Sequence, residues 1–200
     1  MKKVKSHFYK TDPIIYKVIV DMDLKPLQQA KSSTEYFEKL CRDIIAQQLA
    51  GKAAHAIIGR FYKLFEKEHI TPSKVLTFSE QELRDVGMSW AKARYIRDLA
   101  QKIKGQEVKL NNLHNLDNKS VIEELIKVKG IGSWTAEMFL IFTLGREDIF
   151  SHGDLGLRKA LQKLYNFKNK PNEKQTNKIV NKWSPYKSYG CLALWKYIDN

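Results

Sequence analysis

The chain has 200 residues, which is enough for one good-sized hydrophobic core or two small lobes. Its 35 lysines and arginines outnumber its 22 acidic residues, and the formal net charge of +13 favours a polyanionic partner such as nucleic acid or an anionic membrane surface. No apolar run is long enough to span a bilayer, and no apolar signal-peptide core follows the basic N-terminus, so we expect no membrane association and an intracellular location.

Metal chemistry is not indicated by the residue types. Cys41 and Cys191 are too few and too far apart for a zinc or iron–sulfur site formed by cysteine alone. The five histidines are scattered without the spacing of metal ligands. We therefore predict no metal site and no required cofactor.

Helical spacing of apolar residues dominates the first half of the chain. Residues 1–12 are basic and are expected at the periphery. A helix is predicted to begin at Ser33 or Thr34 and to end before Gly51, where the apolar spacing is interrupted. Ser79 with Glu82 is a capping-box pattern that predicts the start of another helix.

A helix–turn–helix is predicted around the turn Val86–Ser89, and a polar loop over about 104–118 follows it. No stretch shows the alternation of apolar and polar residues that is typical of a strand. The fold class predicted from these patterns is all-α, with about ten helices.

The stretch from Leu125 to Leu161 carries the most distinctive features. Ser120 with Glu123 is a capping-box pattern, which predicts a helix from there to about Lys127.

A hairpin containing Gly130, Ile131 and Gly132 follows this helix. The two glycines can adopt backbone conformations that are closed to other residues, and Ile131 between them is expected to enter the core. The next helix is predicted to begin near Ser133. The N–H groups at its start point toward the hairpin and form a candidate anion site, for example for a phosphate of nucleic acid.

Asp154 follows the turn Ser151–Gly153 and precedes a helix. Aspartate is a common N-cap, so by residue type alone Asp154 would most often serve only to cap that helix. The alternative is a carboxylate held in place for catalysis. The combination of the glycine hairpin with a Gly-Asp turn at this spacing favours the alternative.

These motifs in this order resemble the helix–hairpin–helix DNA glycosylases of base excision repair, the HhH-GPD superfamily. Gly132–Ala136 (GSWTA) and 183–189 (WSPYKSY) are similar to its DNA-3-methyladenine glycosylase II (AlkA-type) branch, and the similarity extends over about residues 35–197.

The resemblance implies two helical lobes flanking a cleft. The helix–hairpin–helix would span about 120–145 and the Gly-Asp turn 153–154, in one domain of residues 1–200 without a separate N-terminal β domain.

The resemblance also implies an activity. The protein would be a monofunctional DNA glycosylase that hydrolyses the N-glycosidic bond of alkylated purines, such as 3-methyladenine and 7-methylguanine, flipped out of duplex DNA. Asp154 would be the catalytic carboxylate, either stabilising the positive charge on the sugar or activating water. Family members that also cut the strand carry a lysine where this chain has Trp134, and an indole cannot form a Schiff base. We therefore predict no lyase activity.

Three residues are expected to line the base pocket by resemblance: Trp134, Met138 and Trp195. Electron-rich indole faces suit alkylated purines, which carry a positive charge. A large aromatic residue on a helix more often belongs to the core, so core packing is the alternative for Trp134.

The predicted DNA contacts also follow the family motifs. Gln48 matches the segment that supplies the intercalating residue, although Gln47 and Gln48 could instead cap a buried helix end.

Phosphate binding is assigned to the amides of Gly130, Gly132 and Trp134 and to Lys92, for which a solvated helix face is the alternative. In the family the hairpin carbonyls also hold a monovalent cation, Na⁺ or K⁺, when DNA is bound. The expected partner is double-stranded DNA containing alkylated bases, bound by a monomer in the cytoplasm or nucleoid, or in the nucleus of a eukaryote.

Two other functions are compatible with these residues. The first is a glycosylase of the same architecture that acts on oxidised or deaminated bases. The second is a helix–hairpin–helix module that only binds DNA, although such a module would not require Asp154 or Trp195.

Overall fold

The computed structural model describes residues 1–66 and 68–199, and within them every regular element is a helix. Lys67, for which helical spacing predicts a solvent-facing side, and Asn200 lie outside this description. The all-α prediction is confirmed. The helices are α1 (Lys2–Thr11), α2 (Pro13–Ile19), α3 (Ser33–Ala46), α4 (Gly51–Lys63), α5 (Pro72–Thr77), α6 (Glu80–Asp85), α7 (Trp90–Lys104), α8 (Asn118–Leu125), α9 (Ser133–Phe142), α10 (Leu155–Leu164), α11 (Glu173–Val180) and α12 (Lys187–Asp199), with short 3-10 turns at Leu113–Asn115 and Asn181–Trp183.

The chain divides into two compact helical units. The central unit is Ala30–Phe139, and the terminal unit combines Met1–Gln29 with the chain from Leu140 onward. Helix α9 carries the chain from the central unit into the terminal one. No helix in the described part of the chain is both long and apolar enough to cross a bilayer.

The terminal unit contradicts the expectation that residues 1–12 are peripheral. They form α1, and its Val4 and Phe8 are buried. The two residues are one helical turn apart, so they share a face that packs in a core with Trp183 while the lysines remain outside.

Asp12 links this N-terminal segment to the rest of the terminal unit. Its Oδ1 caps α2 by accepting hydrogen bonds from the amides of Ile14 (3.2 Å) and Ile15 (3.5 Å). Its Oδ2 accepts from the Tyr165 hydroxyl at 2.7 Å and from the Trp183 indole N–H at 2.9 Å. Burial, followed by the bond to Asp12, raises the pKa of Tyr165 above its ordinary range.

The central unit confirms most of the predicted helix starts. Helix α3 begins at Ser33, with the Ser32 hydroxyl as its cap. It ends at Ala46, before Gly51, where α4 begins. The Ser79–Glu82 capping box is present at the start of α6.

The second predicted capping box, Ser120 with Glu123, is wrong. Asp117 caps α8 instead, and its carboxylate accepts hydrogen bonds from the backbone N–H and the hydroxyl of Ser120. Asp117 lies three residues before Ser120 and is an equally good cap, so the helix begins earlier, at Asn118, and ends at Leu125 rather than near Lys127.

We predict that Asp12→Ala lowers the free energy of unfolding by about 2–4 kcal/mol, because the buried indole N–H of Trp183 and the hydroxyl of Tyr165 would both lose their acceptor. Urea unfolding measures this change. The matched control is Asp21→Ala at an exposed position, which should stay within about 0.5 kcal/mol of the natural protein. Equal effects of the two substitutions would contradict a structural role for Asp12.

Candidate active site

In the glycine hairpin between α8 and α9, the predicted special backbone conformation is confirmed for Gly130 but not for Gly132, whose φ is not in the left-handed region. Gly130 has a φ of +83°, and a Cβ at this position would lie 2.2 Å from a ring carbon of Tyr95, so no other residue fits. Ile131 is only 4% exposed and packs into the core as expected. Gly132 is exposed, and a Cβ there would meet open space.

This geometry places the hairpin beside the N-terminus of α9, which begins at Ser133 as predicted. The exposed backbone at Gly130 and Gly132 can approach a phosphate closely, because neither residue has a side chain in the way. Phosphate binding by these amides and by that of Trp134 stays a prediction.

Asp154 is the N-cap of α10, and the residue is 7% exposed. Its Oδ1 accepts a hydrogen bond from the amide of Leu157 at 2.7 Å and a second from the indole Nε1 of Trp195 at 3.3 Å. The prediction that Asp154 caps this helix is therefore confirmed. It does not exclude catalysis, since the same contacts hold a carboxylate in one fixed orientation beside an aromatic ring.

Trp195 comes from α12 and is half-buried. Its ring lies against that of Phe142, with the centroids 5.7 Å apart and the planes at 32°. Phe142 is 48% exposed and Leu155, which follows Asp154 in the chain, is 74% exposed, so apolar surface is accessible next to Trp195 and next to Asp154. The sequence does not identify either residue as part of the site, because apolar residues at helical spacing give the same signal when they belong to a core.

The loop that leads to Asp154 is fixed by the N-terminal turn of α12. The Ser188 hydroxyl donates to the carbonyl of Arg146 at 2.6 Å and accepts from the amide of Ile149 at 3.1 Å. The Tyr189 hydroxyl donates to a Glu147 oxygen at 2.9 Å.

The segment 183–189 (WSPYKSY), which includes Ser188 and Tyr189, makes a further contact to this loop. The Ser184 hydroxyl donates to Asp148 at 2.6 Å. Burial, followed by the bond to Glu147, raises the pKa of Tyr189 to about 12, so this hydroxyl stays protonated and can donate. The segment WSPYKSY thus holds the Gly-Asp turn, a role that its polar residues did not reveal in the sequence.

Trp134 and Met138 lie on α9, four residues apart and therefore on the same side of the helix. Trp134 is 46% exposed and Met138 is half-buried. The core alternative for Trp134 is therefore not supported. Among the predicted pocket residues, the structure brings Trp195 into contact with Asp154 and places Trp134 with Met138 on α9.

The two glutamines after α3 have different environments. Gln48 is exposed and has a φ of +56°. Gln47 is half-buried, and its amide Nε2 donates to the carbonyl of Gly130 at 2.8 Å. Gln48 is therefore the exposed residue of the pair, as an intercalating residue requires.

Lys92 donates to backbone carbonyls at the end of α3, and its predicted role as a phosphate contact stays a prediction. Its ammonium donates to the backbone carbonyls of Ile45 at 2.9 Å and Gln47 at 2.6 Å. Burial lowers the pKa of Lys92. The side chain is half-buried and its ammonium binds backbone at the end of α3, so the solvated-face alternative does not describe it.

No three histidine, cysteine or acidic side chains lie close enough to hold a metal ion in the part of the chain described. The hairpin contains backbone carbonyl oxygens, which are of the ligand type that binds a monovalent cation. Gly130 already accepts a hydrogen bond from Gln47, and a carbonyl oxygen keeps a second lone pair for another partner.

Comparison with known proteins decides the family. Residues 41–185 match the model of the HhH-GPD superfamily of base excision DNA repair proteins. The chain belongs to this superfamily.

Individual relatives agree with this placement. A crystal structure of DNA-3-methyladenine glycosidase from Bacillus halodurans is 33% identical, with a TM-score of 0.82 over 99% of this chain and 89% of that one. A 3-methyladenine DNA glycosylase from Schizosaccharomyces pombe, solved in complex with abasic DNA, is 28% identical, with a TM-score of 0.78 over 97% of this chain and 95% of its own. YfjP from Bacillus subtilis is 32% identical over 162 residues, which are 78% of this chain but 56% of YfjP. The chain thus spans little more than half the length of that relative.

Proposed function

We propose that this protein is a monofunctional DNA glycosylase that hydrolyses the N-glycosidic bond of alkylated purines, such as 3-methyladenine and 7-methylguanine, in double-stranded DNA. The observation that carries the proposal is the buried Asp154 carboxylate, held by the start of α10 and by the Trp195 indole. Relatives of similar fold named as 3-methyladenine glycosylases support the choice of substrate.

The reaction breaks the bond between C1′ of the sugar and the base nitrogen, and the electron pair leaves with the base. Positive charge builds up on the sugar, and the negative charge of Asp154 opposes it. A water molecule then bonds to C1′ and passes a proton to Asp154 or to the solvent, leaving an abasic site. The cap and the indole hold Oδ1 in position before the substrate arrives, so the carboxylate need not reorganise as this charge develops.

Trp134 supports the restriction to hydrolysis. It occupies the position of the lysine that forms a Schiff base in strand-cutting members of the family. Its indole nitrogen has no lone pair available to attack a sugar carbon, whereas a lysine amine does. Water is therefore the proposed nucleophile.

The proposed pocket uses Trp134, Met138 and Trp195. An alkylated purine carries a positive charge, and the faces of two indoles attract it by cation–π interaction and stacking. A flexible thioether such as that of Met138 adapts to bases of different shape. Oxidised or deaminated bases lack the positive charge and would gain less from such a pocket.

The remaining DNA contacts are assigned to the central unit. Gln48 fills the gap left by the flipped base, and the amides of Gly130, Gly132 and Trp134 bind a phosphate of the DNA. The hairpin carbonyls would hold a monovalent cation, whose charge would attract the same phosphate. All of these contacts come from one chain, so we propose a monomer that acts in the compartment holding the DNA.

Asp154→Asn should reduce the release of methylated bases from duplex DNA by about 100-fold to 1000-fold, because the substitution removes the charge that stabilises the transition state. Asparagine is also a good N-cap, so the fold and the binding of abasic DNA should persist. The measurement is base release from methylated DNA, with Asp199→Asn at an exposed position as the control. An active Asp154→Asn variant would reduce Asp154 to a helix cap.

Trp195→Phe tests the indole separately from the aromatic face. It keeps a ring in the pocket but removes the N–H that donates to Asp154, and we expect base release to fall about tenfold, which corresponds to about 1.4 kcal/mol. Trp195→Ala should reduce base release further, and the reduction should be larger for positively charged 7-methylguanine than for neutral hypoxanthine. The control is Trp90→Phe. A protein that releases hypoxanthine and no methylpurine would favour the deaminated-base alternative.

A further inference from the structure

The turn between α3 and α4 presents Gln48 in an unfavourable backbone conformation. Helix α3 ends at Ala46 and α4 begins at Gly51, and we call residues 47–50 the Gln48 turn. The φ of +56° at Gln48 lies in the left-handed region, where a residue with a Cβ is disfavoured. Such a conformation persists only where the surroundings hold it in place.

Gln47 supplies one of these restraints. Its backbone leaves the helical conformation (φ −48°, ψ 131°), and its side chain reaches the glycine hairpin. The amide Nε2 donates to the carbonyl of Gly130 at 2.8 Å and lies 3.4 Å from the hydroxyl of Thr135. The Gln48 turn is thereby joined to the first turn of α9, more than 80 residues away in sequence.

Lys92 supplies the other restraint from α7. Its ammonium donates to the carbonyls of Ile45 and Gln47, on either side of the last residue of α3. Carbonyls at the end of a helix lack donors within the helix, and a cation there also interacts favourably with the helix dipole. These bonds fix the backbone immediately before Gln48.

We infer that Gln47 and Lys92 are positioning residues that hold Gln48 ready to enter duplex DNA, and that Gln47 couples this turn to the glycine hairpin. The inference rests on the proposed function in one respect, the insertion of Gln48 into the gap left by the flipped base. Neither residue has to touch DNA. Their effect is to remove the reorganisation of the turn that would otherwise accompany insertion.

Two substitutions break these restraints with little change in size. Gln47→Glu replaces the donor to Gly130 with a carboxylate that repels a carbonyl oxygen. Lys92→Met keeps the length of the side chain but donates nothing, whereas Lys92→Arg keeps a charged donor and should restore function. Matched controls are Gln101→Glu and Lys63→Met, both at exposed helical positions.

Insertion can be observed with 2-aminopurine placed opposite a tetrahydrofuran abasic-site analogue in a short duplex. The fluorescence change at saturating protein reports insertion of the side chain, and the midpoint of the same titration gives the dissociation constant. We expect Gln47→Glu and Lys92→Met to lose most of this change, and their base release from duplex DNA to fall about tenfold. Lys92→Arg and both controls should retain the fluorescence change and keep the melting temperature of the natural protein.

Gln48→Ala separates the inference from the function on which it rests. If Gln48→Ala leaves the fluorescence change intact, intercalation by Gln48 fails and the inference fails with it. If Gln48→Ala abolishes the change but Gln47→Glu and Lys92→Met do not, intercalation stands and the positioning role is overturned. The double variant Gln47→Glu/Gln48→Ala should behave like Gln48→Ala alone, and an additive loss would also overturn the role. If Gln47→Glu lowers the melting temperature, its loss of fluorescence could come from unfolding. The comparison of Lys92→Met with Lys92→Arg then tests the positioning role.

Discussion

The central constraint on this protein is that a carboxylate must be buried and yet remain in a defined orientation. Burying a charge is costly unless hydrogen-bond donors replace the lost water. Asp154 meets this condition with the amide of Leu157 at the start of α10 and the indole N–H of Trp195, both directed at Oδ1. The requirement explains why the carboxylate lies at the beginning of a helix, where unpaired amides are available as donors.

This arrangement depends in turn on the loop before Asp154. A loop free to move would not keep the carboxylate beside the indole. Ser188 and Tyr189 bind this loop from α12, the same helix that carries Trp195. One helix therefore fixes both the approach to the carboxylate and the ring that contacts it. An error in the position of α12 would affect both together.

The central unit uses the same device at its own loops, because side chains from distant helices bind backbone carbonyls there. Arg60 on α4 donates from Nε to the carbonyl of Val86 at 2.6 Å, in the turn before α7. Lys92 and Gln47 act likewise at the end of α3 and at the glycine hairpin. Carbonyl acceptors are present at every loop regardless of its residues, so loops of quite different sequence can be held in this way.

The part of the structure that could be predicted from sequence was the part set by neighbouring residues. Ser79 with Glu82 and the Asp154 cap depend on contacts three residues apart, and both are present. The predicted capping box at Ser120 was wrong for an equally local reason, because a competing cap, Asp117, lies three residues upstream. The bonds of Asp12 to Trp183 and of Gln47 to Gly130 join residues 171 and 83 positions apart, and no spacing in the sequence signals them. Lys92 is predicted to contact a phosphate from its position at the turn of a helix–turn–helix, whereas the structure pairs its ammonium with carbonyls, which have no residue-specific pattern in the sequence.

Rigid loops suit the reaction proposed for this protein. Extruding a base from duplex DNA costs a few kcal/mol of pairing and stacking, and contacts with DNA must supply that free energy. Any loop that had to be ordered on binding would consume part of the same binding energy. The terminal unit carries 17 basic residues against 8 acidic ones and the central unit 18 against 14, so both units attract the phosphate backbone. With the loops already held by Ser188, Gln47 and Lys92, more of this electrostatic attraction remains available for extruding the base and placing its sugar beside Asp154.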